Sequence, residues 1–123
     1  MAYSSFEDLE VWKRAKKLAV ELFLSLKDCK AYGLKDQMTR SAVSVASNIA
    51  EGAERGTSPE FIRFLRIAKG SAAELRTQLS IASEAGLIHD VDRHRKWIVE
   101  LKEISSILQG LIHSLHKNIA GTP

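Results

Sequence analysis

His113 and His116 stand three residues apart near the carboxyl end of the chain, a spacing that puts two imidazoles on one face of a helix. Two such ligands do not hold a metal without a third His or carboxylate at helical spacing, and none is there. They read instead as polar side chains at a helix carboxyl end, where partial positive charge suits the dipole. Glu51, Glu74 and Glu100 raise the alternative of a di-iron bundle, which requires Glu-x-x-His on two helices plus Glu on two others. Glu51 is followed three residues on by Glu54, so that pattern fails. The chain has no glycine-rich phosphate loop, no nucleophile elbow and no zinc-spaced cysteine pair, since Cys29 is its single cysteine. Arg40, Asn48 and Glu51 lack an accompanying nucleophile or metal. The expectation is a protein that is not an enzyme and uses no metal or cofactor.

Two other groups of residues have chemistry to offer. Lys13, Arg14, Lys16 and Lys17 fall within five positions, and Arg63, Arg66 and Lys69 step around a second segment. Such charges neutralise phosphates and give affinity for nucleic acid that does not depend on sequence. The competing reading is a solvated helix face. Gln37, Arg40, Ser44, Asn48, Glu51 and Arg55 form a polar stripe, and Ser71, Glu74 and Gln78 form a second. If the two stripes meet, they make a hydrogen-bonded network that fixes helix register, or else a site for a partner.

Four amphipathic segments must position these residues. The first, about Phe6 to Cys29, carries Trp12, Ala15, Ala19, Leu22, Phe23 and Leu26 on one face, and Ser5 or Asp8 can cap it. Gly33 then offers a left-handed turn. The second, about Leu34 to Glu54, has a wide apolar arc of Leu34, Met38, Ala42, Val45, Ile49 and Ala53 flanked by Val43, Ala46 and Ala50. Gly52 and Gly56 loosen its end.

The third segment starts at Thr57-Ser58-Pro59-Glu60, with either Thr57 or Ser58 as cap. Its apolar face includes Phe61, Phe64, Leu65, Ala68, Ala72, Leu75, Leu79 and Ala82. Gly70 interrupts it at a cost of about 1 kcal/mol relative to Ala, which close approach by another helix would offset. The fourth, about Val91 to Asn118 with Asp90 as cap, spaces Trp97, Leu101, Ile104, Leu108, Leu111 and Leu115 for shallow packing. Short turns between four long helices predict one all-α domain over residues 1–123, an antiparallel up-down four-helix bundle.

The exterior bears on compartment and assembly. The amino terminus lacks the basic and apolar regions of a signal peptide, and no run reaches the roughly 18 apolar residues of a membrane span. With one cysteine, this predicts a cytoplasmic protein without membrane contact. Eighteen Lys and Arg against fifteen Asp and Glu leave a net charge of +3. Val20 and Leu24 project with Lys13 and Lys17, away from the Trp12 face. With Ile62 and Ala73 off the main face of the third segment, this surplus apolar surface predicts a homo-oligomer whose interface includes Val20 and Leu24.

Three blocks carry a resemblance over nearly the whole chain: FEDLEVWKRAKKLAVEL (6–22), TRSAVSVASNIAEGAERG (39–56) and EFIRFLRIAKGSAAELRTQL (60–79). The chain resembles the four-helix bundle family named for reading frames inside intervening sequences of large-subunit ribosomal RNA genes, also called S23 ribosomal protein. The resemblance implies a bacterial protein that assembles as a homopentamer. It implies kinship with the accessory variability determinant of diversity-generating retroelements, a basic branch that binds nucleic acid and partners a reverse transcriptase. The family's hallmark positions fall here on Trp12, Arg40, Ser44, Asn48, Glu51, Gly52, Phe61, Gly70, Ser71 and Glu74, none of them catalytic. The resulting expectation is an oligomeric binding module that associates with RNA or a nucleic-acid-processing protein through basic helix faces. The alternative is a protein-protein scaffold with no nucleic-acid affinity.

Overall fold

A computed structural model describes residues 5–120, which form a bundle of four α-helices with no strand among them. They are α1 (Glu10–Ser25), α2 (Tyr32–Glu54), α3 (Ser58–Glu84) and α4 (Val91–Ala120), preceded by one 3-10 turn at Phe6–Asp8. Pairings across the seams fix the direction of the helices. Ser25 meets Arg93 while Arg14 meets Glu100 and Glu103, so α1 and α4 run antiparallel. Arg66 meets His116 and Lys69 meets Gln109, so α3 and α4 do too. Neighbouring helices pack in the order α1, α2, α3, α4. The diagonal pairs make no backbone approach, and α1 touches α4 least. This is the up-down arrangement that the short turns predict.

Start signals act where the sequence places them, with one adjustment at the front. Ser5 caps the 3-10 turn, accepting from the Glu7 N–H while Asp8 reaches back to the Ser5 N–H. The chain then bends at Leu9 before α1 begins, so the first segment is a turn plus a shorter helix. Thr57 rather than Ser58 caps α3, with Pro59 in the first turn, and Asp90 accepts from the Arg93 N–H. Gly56 and Gly86 take positive φ where α2 and α3 end, a backbone that other residues adopt at a cost. Gly33 instead lies inside the first turn of α2 with ordinary φ, because the helix begins two residues earlier than the apolar pattern indicates.

The core runs the length of the bundle. Leu22, Met38, Ile49, Leu65, Leu75, Leu79, Leu101, Ile104 and Leu108 are its largest enclosed side chains. Gly52 makes the close helix approach. A Cβ there would meet the Phe64 Cβ at 2.7 Å and the Phe61 ring at 3.0 Å. Far from loosening α2, Gly52 lets its last turn sit on α3. Gly70, expected to make such a contact, has nothing within 4 Å of an added Cβ. Two apolar assignments also change sides. Ile62 is 4% exposed and belongs to the core, while Phe23 is 50% exposed, since α1 is covered by α2 and α4 only on its Val11–Leu18–Leu22 side. On α4 the buried position is Ile112 rather than the half-buried Leu111.

Candidate functional site

The polar stripes of α2 and α3 meet at a small cluster. Ser44 and Ser71 share a hydroxyl–hydroxyl bond of 2.8 Å across the helix pair. Asn48 donates from Nδ2 to the Ser44 carbonyl at 2.8 Å and to the Ser44 hydroxyl at 3.0 Å. Ser71 is buried, and Ser44 and Asn48 are half-buried. The charged members expected in that network stand outside it. Arg40 pairs with Asp36 at 2.8 Å and Arg55 with Glu51 at 2.9 Å, each one turn away on α2, and all four side chains are largely exposed. Glu74 is exposed and has no ion-pair partner among the described residues. The reason is reach: a charged side chain at the seam's outer edge finds an i±4 partner in water more readily than a partner across a buried interface. Gln78 continues the α3 stripe, but its Oε1 is buried without a donor among the described residues.

The basic cluster of α1 is smaller than its sequence indicates. Lys13 lies 3.5 Å from Glu10, Lys16 sits 4.9 Å from the Trp12 ring centroid, and Lys17 is exposed. Arg14 leaves the cluster. Its Nε donates to Glu100 at 2.9 Å, and its Nη2 donates to both Glu100 and Glu103 on α4. The hydrogen bonds from Arg14 hold the Glu100 carboxyl below the ordinary carboxylate range, and those same bonds raise Arg14 above its usual value. The solvent-facing charges of α1 are therefore the three lysines, followed along the same side by exposed Val20 (52%) and Leu24 (68%).

The α3 cluster is organised differently. Arg63 lies 3.5 Å from Glu60 and stacks 4.6 Å from the centroid of Phe64, whose ring also meets the Arg55 guanidinium at 4.9 Å. Arg66 donates to His116 Nε2 at 3.0 Å, and Lys69 to the side-chain Oε1 of Gln109 at 2.7 Å. Neither partner is an anion, so Arg66 and Lys69 keep their charge unneutralised. Gln109 is the residue that sequence reasoning missed; that reasoning places Arg55 on the α2 polar stripe and His116 at a helix end, without the contacts they make here. The Glu51/Arg55 spacing was a visible signal, but the contacts from α4 were not.

A groove of about 1050 Å³ runs between α1 and α4, lined among others by Leu24, Trp97 and Val99. Its rim mixes five cations with four carboxylates, so it favours neither sign of ligand. No group of three or more His, Cys, Asp or Glu residues converges on a metal position among the described residues. None of the helices there is long and apolar enough to cross a membrane.

Residues 7–110 match a family described as 23S rRNA-intervening sequence protein. Among solved structures, the chain resembles a protein of unknown function from the S23 ribosomal protein family from Bacteroides thetaiotaomicron VPI-5482. The two are 23% identical and superpose with a TM-score of 0.76 over 83% of this chain and 97% of that one, a likeness of fold. No curated protein matches the chain.

Proposed function

We infer that this chain, which belongs to the 23S rRNA-intervening sequence protein family, is a non-enzymatic homo-oligomer of the bacterial cytoplasm that associates with RNA or a nucleoprotein through basic helix faces. The observation that carries the reading is the pair of cations on α3, Arg66 and Lys69, held by partners that are not anions and so able to meet phosphate. The kinship with a nucleic-acid-binding branch, which the family resemblance implies, supports the choice of nucleic acid. The exposed Val20 and Leu24 on α1 support self-association, because apolar side chains at the centre of a solvent-facing helix side are what a subunit contact covers. A ring such as the pentamer implied by the family resemblance would multiply weak basic patches into useful avidity.

The second reading, a protein-protein scaffold, rests on that same apolar surface. Size-exclusion chromatography with light scattering, run with and without RNA at about 50 mM salt where phosphate contacts are strongest, separates the two. The first reading expects a mass well above the 13.7 kDa of one chain and RNA co-eluting, with retention falling steeply as salt rises. An oligomer that retains no RNA leaves the scaffold. A 13.7 kDa species without RNA overturns both.

A further inference from the structure

The two basic clusters lie on diagonal helices, and the backbones of α1 and α3 do not approach each other. Their outward sides therefore point apart, and one nucleic-acid strand cannot lie along both on a single subunit. The α3 cluster is also only part of a larger surface. The Lys69–Gln109 contact sets the register of α3 against α4, and two helical turns further on the same register sets Arg76 opposite Lys102. In the other direction it passes His113 to the Arg66–His116 contact.

This strip contains no acid. Between residues 61 and 83 the only carboxylate on α3 is Glu74, which by helical position lies on the α2 side. From residue 104 to 120 α4 has none, and the Glu100 and Glu103 that precede this stretch turn toward Arg14 on α1. Glu60 is engaged by Arg63, and Glu84 comes two turns beyond Arg76. From Arg66 to Arg76 the strip extends about 15 Å by helix rise, over which one strand of a duplex presents about four phosphates.

We propose that this acid-free face, formed by Arg66, Lys69 and Arg76 of α3 with Lys102, His113 and His116 of α4, takes the phosphate backbone of an RNA duplex. The proposal rests on the RNA reading above and narrows it to one face and one form of RNA. Duplex is favoured over single strand because single-strand binders stack bases on aromatic side chains, and this face offers no Phe, Tyr or Trp. Among the described residues the exposed aromatics, Phe23 and Tyr32, belong to α1 and α2. A rigid pair of helices bearing cations, with hydrogen-bonding Gln and His between them, is suited instead to reading backbone shape.

The test is fluorescence anisotropy with a labelled RNA duplex of about 20 base pairs and with one of its strands alone, from 50 to 300 mM salt. Wild-type protein should bind the duplex at least as tightly as the strand. The double variant Arg66→Ala/Lys69→Ala should weaken duplex binding about tenfold at 100 mM salt. Its log–log salt slope should shrink by roughly 0.7–0.9 for each phosphate that is no longer neutralised. Lys102→Glu, on an exposed residue, should weaken binding similarly with an unchanged melting curve. Lys13→Ala/Lys17→Ala on α1 should change it less than threefold.

If the α1 variant loses binding and the α3–α4 variants keep it, the assignment of the face is wrong. Preference for the single strand overturns the duplex assignment, and so does tight binding to phosphatidylserine vesicles with none to RNA. Wild-type protein that binds no RNA in any form defeats the broader reading as well, so the two failures are told apart.

Discussion

Ser44 joins three polar side chains: it shares one bond with Ser71 across the seam and receives two from Asn48 on its own helix. A buried hydroxyl left without its partner costs more than a pair removed together. Ser71→Ala should therefore destabilise the protein by about 1 kcal/mol, while adding Ser44→Ala should cost less than the sum of the two single changes. Urea unfolding of the four members of the cycle measures this, and additive costs would show that the hydroxyls act independently. The meeting of these residues was legible, because Ser44, Asn48 and Ser71 occupy adjacent stripes at helical spacing. The defection of Arg40 and Glu51 was legible too, in Asp36 and Arg55 one turn away. Arg14 was not. Its carboxylates lie 86 and 89 residues along the chain, and no local rule pairs residues at that distance.

At the scale of the helix, two glycines that look alike in sequence do opposite work. Both lie in helix interiors at ordinary φ, and only the neighbouring helix tells them apart. Periodicity identifies which face of α2 is apolar, but a missing Cβ leaves no mark on that pattern. The caps at Thr57 and Asp90 could be read from sequence because the capping residue and the N–H it receives are three positions apart. The Gly52 contact with Phe61 and Phe64 depends on how the α2–α3 corner turns. Gly52→Ala should overpack that corner and cost about 1–3 kcal/mol. Gly70→Ala, where a methyl group meets nothing within 4 Å, should raise stability by about 0.5–1 kcal/mol through helix propensity. Thermal melts of the two variants under conditions of equal assembly decide the matter. A destabilised Gly70→Ala would mean that the outer face of α3 is covered by something the single chain does not contain.

The whole bundle is a ring of four seams, and the seam between α1 and α4 is the slightest of them. Apolar side chains, Leu18 and Trp97 among them, line it, and polar contacts span it as well: Arg14, in the second turn of α1, bridges to Glu100 and Glu103, and Arg93 donates to Ser25 at the other end. Arg14 and Glu100 are each about one-third exposed, so solvent screens the contact, and its net contribution is about 1 kcal/mol. Its dependence on pH is more diagnostic than its size. Because the Glu100 carboxyl is held below its ordinary value in the folded protein, the unfolded chain takes up that proton first as pH falls. The stabilisation is complete above the unfolded glutamate value of about 4.3 and is lost as pH drops through the lower folded value. Arg14→Met keeps an apolar stem against α4 and removes the charge that causes the shift. Its unfolding free energy should fall about 1 kcal/mol below wild type at pH 7, and the two curves should converge as pH drops below the unfolded glutamate value. Denaturant titrations at half-unit steps measure that convergence. Parallel curves would mean that Glu100 titrates alike in both proteins and that the α1–α4 seam is closed by its apolar contacts alone.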